Sequence, residues 1–335
     1  MKPTIAITMG DAAGIGPEII VKALAGKEIY DYCRPLVIGH KAALDREQAA
    51  LGLNLDLVTV ADLSQIQPGK PAIWDFPDIP PPLVHPGQPD AATGRAAAAY
   101  IQTAVQLALG KRVSAITTAP ISKYALHQAG YNYPGHTEFL AELTQTEEYA
   151  MMLTGGPLRV ILVTTHCALK DVPAKLNQSL ILKTIRITHK YLPQWGVKHP
   201  RIAVAALNPH GGESGILGRE EQELIEPAVR QAQAENIQVS GPYPADTLFH
   251  RAANGEFDAA VVMYHDQGLI PLKLLAFRQA VNITLGLPIL RTSVGHGCAF
   301  DIAGRSQADP ESLIQAIRLA SEAIGTDNEI KNEKF

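Results

Sequence analysis

The sequence predicts an α/β protein. Short runs rich in Val, Ile and Thr alternate with segments of helical period, several of those runs are apolar without interruption, and the 335-residue chain is 46% apolar. Alternation of this kind builds βαβ units. An uninterrupted apolar strand is what a parallel sheet covered on both faces requires. The length exceeds one ordinary domain of roughly 150 residues, so two α/β/α lobes, each with its own core and with a cleft between them, are expected.

Pro3 to Thr8 reads as the first strand. The glycine-rich turn MGDAAGIGPE, residues 9–18, follows, and Pro17 and Glu18 suit the first turn of a helix running to Ala25. Leu36 to Gly39 is a second strand and Lys41 to Leu51 a second helix. Residues 76–90, FPDIPPPLVHPGQPD, hold six prolines and form a surface excursion, because proline cannot join a regular ladder. Beyond it, Val113 to Thr117, Arg159 to Thr164, Arg201 to Ala206, Ala259 to Met263 and Val281 to Thr284 read as buried parallel strands with helices between most of them. The charged end, Asn328 to Phe335, is expected to fray.

Charge narrows the function. There are 29 basic and 33 acidic side chains, a net charge of -4, and no basic block, which argues against nucleic acid or an anionic membrane as the main partner. Ala96 to Leu109 and Leu269 to Phe277 are too short or too interrupted to span a bilayer. Residues 1–20 read as strand, turn and helix instead of a secretory signal, so a cytoplasmic location is expected. Cys33, Cys167 and Cys298 are odd in number, far apart and without CxxC spacing, which suits reduced thiols.

Three strands end alike: RVILVTTH at His166, RIAVAALNPH at His210 and DAAVVMYH at His265. Ligands of open α/β sheets bind beyond the carboxyl ends of the strands, so imidazoles delivered there can converge. Three neutral imidazoles with an open position make a catalytic divalent-metal site. A single strand-end histidine is more often a hydrogen-bonded loop residue, and it is the repetition that carries the metal reading. Asp246 in PADTLF and Asp266 after His265 can orient such ligands, add one, or act as a general base. Either can equally be a helix N-cap. The glycines at 10, 14 and 16 fit neither GxGxxG nor a P-loop, so no Rossmann dinucleotide site is read there. In YPGHTEFLAEL, Gly135, His136 and Thr137 stand at a helix start suited to an anion, with Thr137 an acceptable N-cap. Lys273, Asn282 and Arg291 add cationic and amide donors for a carboxylate or phosphate.

GDAAGIGPE, TTAPISK, YPGHTEF, TTH, LNPHGGE, PADTLF, MYHDQG, VNITLGLP and RTS with HGCAFDIAG occur in one order from residue 6 to about 306. Together they resemble the 4-hydroxythreonine-4-phosphate dehydrogenases of pyridoxal phosphate biosynthesis and their relatives acting on phosphorylated four-carbon sugar acids. The resemblance implies an isocitrate/isopropylmalate dehydrogenase-like fold and a homodimer whose subunits share active sites. It implies a cofactor-side lobe of residues 1–125 plus 285–335 and a metal- and substrate-side lobe of 126–284. His166, His210 and His265 fall on the metal ligands, with zinc expected and cobalt, manganese or magnesium as alternatives. His136, Thr137, Lys273, Asn282 and Arg291 fall on substrate-binding positions. His296, Gly297, Ala299 and Asp301, in the segment His296 to Gly304, fall on the segment that binds NAD. Asp246, Asp266 and Lys123 are the candidates for proton transfer.

The implied reaction is oxidation of 4-phosphooxy-L-threonine at C3 followed by β-decarboxylation to 3-amino-2-oxopropyl phosphate. D-threonate or D-erythronate 4-phosphate is the alternative substrate, and a non-redox acyltransferase on the same fold is the alternative of another class. The family usually has Asp-His-Gly-Thr-Ala where this chain has Gly295-His296-Gly297-Cys298-Ala299, and commonly proline where it has Ala12. Loss of the carboxylate at 295 implies weaker discrimination of NAD from NADP.

Overall fold

A computed structural model of the chain describes residues 2–76 and 84–332. Its contacts divide it into two compact units, Met1–Glu147 with Leu287–Gly325, and Glu148–Gly286 with Thr326–Phe335. The first contains β1 (Thr4–Thr8), β2 (Arg34–Gly39), β3 (Val58–Thr59), β4 (Ala72–Asp75) and β5 (Ala115–Thr118). The second contains β6 (Ala150–Gly155), β7 (Leu158–Leu162), β8 (Ile202–Ala205), β9 (Val239–Tyr243), β10 (Ala259–Val262) and β11 (Val281–Leu285). The chain then returns to the first unit as β12 (Arg291–Val294).

In the first unit the strand order is β3-β4-β2-β1-β5-β12, parallel throughout. In the second it is β11-β6-β7-β10-β8-β9. There β7, β10, β8 and β9 are parallel, whereas β6 runs antiparallel to both β7 and β11. This corrects the expectation that Val281 to Thr284 is a parallel strand: an apolar run reports burial on both faces and not the direction of its neighbour. The short strands β3 and β4, the strand β6 and the half-exposed β9 are not among the expected runs.

The core of the second unit shows the period of two expected of strands. Val160 and Leu162, Ala260 and Val262, and Ala203 and Ala205 meet on one face, covered by Leu269 and Leu272 from the helix His265–Ala276 and by Leu248 and Ala252 from Ala245–Ala253. Burying Leu272 alone contributes about 2 kcal/mol to holding its helix on the sheet. That helix starts at a fixed place, directly past the end of β10.

The division differs from the expected lobes in two places: the first unit extends to Glu147, and Thr326–Phe335 groups with the second unit. The helix His136–Leu143 belongs to the first unit, in contact with the helix Ala91–Leu109, and its Phe139 stacks on Tyr133 with ring centroids 4.5 Å apart. Residues 77–83, most of the proline-rich excursion, lie outside the described residues, as do 333–335. Up to Asn332 the charged end continues the helix Glu311–Asn332, where fraying was expected. Among the described residues no helix is long and apolar enough to cross a membrane.

Buried hydroxyls tie the returning segment into the first unit. Thr292 Oγ1 lies 2.9 Å from Thr117 Oγ1 and donates to Ala316 O at 2.9 Å. Thr292→Val keeps the shape and leaves the buried Thr117 hydroxyl without its partner, so stability should fall by about 1–3 kcal/mol. Urea denaturation with an unchanged m-value is the expected result, and an unchanged midpoint would show that these bonds contribute nothing.

Candidate active site

Parallel pairing places the three strand-end histidines on one edge. The spatial order β7-β10-β8 inserts the strand leading to His265 between those leading to His166 and His210. The rings of His166 and His265 come together, with centroids 5.6 Å apart and planes inclined at 43°. His265 Nδ1 is 2.6 Å from Asp266 Oδ1, an arrangement that fixes the ring and leaves Nε2 as the outward nitrogen. The pair lines a cavity of about 400 Å³ together with Thr165, Cys167, Tyr264 and Asp266.

His210 does not join them. It is exposed on the segment Pro209–Gly215, where residues 210–214 all have positive φ, and it does not line that cavity. Among the described residues no three His, Cys, Asp or Glu side chains are grouped closely enough to hold an ion. Two imidazoles, His166 and His265, are thus grouped as two corners of a divalent-metal site, and His210 stands apart from them. Asp246 is exposed in the first turn of its helix, whose N-cap is Pro244; Asp266 likewise lies inside a helix capped by Tyr264. Neither aspartate is an N-cap.

The remaining substrate positions divide between the units. Lys273, half-buried on the helix that opens with His265, holds its Nζ 5.8 Å above the Phe277 ring, and Asn282 lies on β11. In the first unit Arg291, 1% exposed, donates from Nη2 to Thr118 Oγ1 at 2.8 Å. Burial pulls the guanidinium down to about 9, partly opposed by Glu138. His136 opens its helix after Gly135, the N-cap, with Thr137 buried behind it. Burial first, and then the Arg291 charge, hold the His136 imidazole well below its ordinary value, so it is neutral at pH 7. Its Nε2 is shielded and makes no hydrogen bond. Lys123, exposed at the start of Lys123–Gln128, has its Cε 3.9 Å from where a Cβ on Gly135 would lie. An arginine and a neutral imidazole with a shielded nitrogen make a receptor for an anionic oxygen.

The glycine-rich loop after β1 is filled by protein. A Cβ at Gly10, Gly14 or Gly16 would lie 2.1 Å from Pro120 O, 2.9 Å from Cys298 O or 2.3 Å from Met9 O. Its amides are engaged too: Ala13 N donates to Asp11 Oδ1, Gly14 N to Asp11 O, and Ile15 N to Cys298 O. Further along, the buried Glu18 accepts from Ala308 N at 2.8 Å and from Lys22 Nζ at 2.7 Å, while Lys22 also reaches Ala308 O. The loop and its helix thus hold the segment 298–308. On that segment His296 is half-buried with Nδ1 3.0 Å from Gly297 O, Gly297 and Asp301 are exposed, Cys298 is buried, and Ala299 has φ 43°.

A sequence profile of the pyridoxal phosphate biosynthetic protein PdxA family matches residues 31–320. The chain belongs to this family. It is 50% identical over 323 residues to the 4-hydroxythreonine-4-phosphate dehydrogenase of Desulforapulum autotrophicum, covering 96% of this chain and 95% of that one. It is 48% identical over 323 residues to the D-threonate 4-phosphate dehydrogenase of Cupriavidus necator, covering 96% and 97%. The crystal structure of 4-hydroxythreonine-4-phosphate dehydrogenase from Klebsiella pneumoniae superposes with a TM-score of 0.88 at 44% identity, covering 96% of this chain and all of that one. At 14% identity, isocitrate dehydrogenase from Methylococcus capsulatus, with a TM-score of 0.50 over 98% of this chain and 87% of that one, shares the fold alone. The PdxA-family chain is thus isocitrate dehydrogenase-like in fold, as expected.

Sequence reasoning missed Thr118, the hydroxyl partner of Arg291, although it ends a strand inside TTAPISK. It also missed Glu18 and Lys22, which read as ordinary helix charges. A pH test follows from Arg291. An anion bound beside it raises its pKa from about 9, so binding takes up protons near that pH and affinity falls as pH rises through it. Calorimetry of phosphate binding in buffers of different ionisation enthalpy should show this uptake, and Arg291→Met should remove it.

Proposed function

We propose that the chain oxidises 4-phosphooxy-L-threonine at C3 with a nicotinamide cofactor and decarboxylates the product to 3-amino-2-oxopropyl phosphate, as a step of pyridoxal phosphate biosynthesis. The observation that carries this reading is family membership across residues 31–320. The substrate is anionic at both ends. Arg291, His136 and Thr137 bind one anionic group, and Lys273 with Asn282 the other. A divalent ion, zinc with cobalt, manganese or magnesium as alternatives, would be held by His166, His210 and His265 and would supply Lewis acidity toward the hydroxyl and later the ketone. Asp266 orients His265, which leaves Lys123 and Asp246 as the candidates for moving the hydroxyl proton.

NAD is assigned to His296–Gly304, with His296, Gly297, Ala299 and Asp301 as its contacts. The engagement of the amides at residues 13–15 supports this, because a cofactor phosphate would find no free donors among them. With glycine at 295, NADP is accepted as well. The three free cysteines suit the cytoplasm.

D-threonate 4-phosphate is a second reading, favoured by 48% identity to a relative of that name against 50% to the other. NADH release from each substrate separates the two. With the better substrate, Arg291→Lys should lower kcat/KM by about 10- to 100-fold, since it keeps the charge and loses a charge-assisted hydrogen bond of roughly 1.5–3 kcal/mol. Unchanged kinetics would remove Arg291 from the site.

A homodimer with shared sites is part of the proposal. Ile270, Leu274 and Leu275 are 66%, 83% and 56% exposed on the helix that opens with His265, Phe277 just beyond it is 72% exposed, and Ile216 is 80% exposed just after the His210 segment. Apolar side chains so exposed next to functional residues suit burial by a second copy. Leu274→Asp should give a folded monomer by sedimentation that has lost activity, and an active dimer would contradict the shared site.

A further inference from the structure

The GDAAGIGPE motif follows β1 where a phosphate cradle would stand, yet the amides of residues 13–15 are taken by protein groups. Its contacts lead instead to residues 296–308, in the same unit. Ile15 N donates to Cys298 O at 3.0 Å, near one end of that segment. At the other end Lys22, on the helix Gly16–Ala25, donates from Nζ to Ser306 O at 3.1 Å and to Ala308 O at 2.7 Å. Glu18, 1% exposed, accepts from Ala308 N at 2.8 Å and from Lys22 Nζ at 2.7 Å, so the carboxylate both binds the segment and aims the amine. One short stretch, Ile15 to Lys22, thus grips both ends.

Residues 296–308 need such anchors. They are turns and irregular backbone, with local bonds from Ile302 N to Ala299 O and from Arg305 N to Ile302 O. Ala299 and Ser306 have φ of 43° and 57°, a left-handed conformation that is unfavourable for a residue with a Cβ. Lys22 binds the carbonyl of one of these two, Ser306. A segment with few bonds of its own opens readily unless outside groups hold one shape. On its outer side Gly297 is exposed, and a Cβ there would meet no atom within 4 Å. That open backbone beside His296 leaves room for a nicotinamide cofactor to approach closely.

We propose that Glu18 and Lys22 are positioning residues for the cofactor, holding residues 296–308 in the shape that receives NAD. The proposal rests on the assignment of NAD to His296–Gly304. Neither side chain touches the cofactor in this role. When a ligand binds one shape of a loop, its apparent affinity is reduced by the fraction of molecules in that shape. Lys22 supplies bonds to two carbonyls, and the buried Glu18 keeps its amine from turning to solvent.

The test measures three quantities on the full chain: NAD affinity by calorimetry, hydrogen exchange at residues 298–308, and phosphate affinity. The double variant Glu18→Gln with Lys22→Met removes the bonds of the amine without stranding a buried charge. Its exchange across 298–308 should quicken and its NAD affinity fall by about tenfold, as for a segment correctly held one tenth of the time. Phosphate affinity should stay at the wild-type value. Lys22→Arg, which keeps the charge and the donors, should retain most of the NAD affinity. Glu18→Leu, which drops the bond from Ala308 N, should weaken NAD binding too and is an independent arm should the double variant fail to fold. Gly297→Val tests the assignment itself: it fills the open space without touching the anchors, so NAD affinity should fall with exchange unchanged. If Gly297→Val weakens NAD binding but the folded double variant and Glu18→Leu bind NAD like wild type, the positioning role is overturned and the assignment stands. An equal loss of phosphate affinity would also overturn that role, by showing a general loosening of the unit. NAD affinity that survives Gly297→Val would overturn the assignment and the positioning role with it.

Discussion

The parallel pairing of β7, β10 and β8 is the constraint on which the second unit's chemistry depends. Parallel strands all finish at the same edge, and where a strand finishes its backbone loses its ladder partners. Those orphaned groups must be satisfied by something. Here the something is Thr164, Gln267 and Glu221, whose side chains bond the backbone just past β10 and β8. Antiparallel β6 interrupts this arrangement, because it finishes at the opposite edge, whereas β11, antiparallel to β6, runs in the direction of β7 again.

The first unit handles charge in another way. Arg291 is the largest fully buried side chain of the chain's described part, and it keeps its proton less readily than an exposed arginine does. Desolvation is the dominant cause, with Glu138 offsetting part of it. The same burial suppresses protonation of His136, which avoids a second positive charge beside the first. The donors are therefore poorly solvated, so that an anion bound there, as the proposed function has it, would gain more than at a wet surface. Thr118 and Ser293, bonded across β5 and β12, give the guanidinium a rigid floor.

Much of this was legible in the residues. Continuous Val/Ile runs gave the buried strands, and three runs ending in histidine gave the site edge, because both signals are local. Lys41–Leu51 emerged with the expected boundaries. What could not be read was direction and grouping. Nothing in VNITL says that its neighbour is antiparallel, and nothing in HTEFLAEL says which unit its buried Phe139 belongs to. His210 shows the deeper limit: its strand obeys the pattern of the other two, yet the left-handed run after Pro209 carries the side chain away from the cavity that His166 and His265 line. A loop's path is decided by groups such as Glu221, thirteen and fourteen positions from the backbone amides it binds.

The glycine loop after β1 has a consequence for how such sequences are read. Gly10, Gly14 and Gly16 are small because other parts of this chain press on them, and Gly14 faces the Cβ and carbonyl of Cys298. The loop is a socket, and the plug is the segment on which the cofactor is expected to lie. Smallness at position 14 is therefore specified by the main chain and Cβ of a residue 284 positions away. A side chain at 14 would lift the segment from its seat without touching any ligand, and an assay alone would report it as a binding defect.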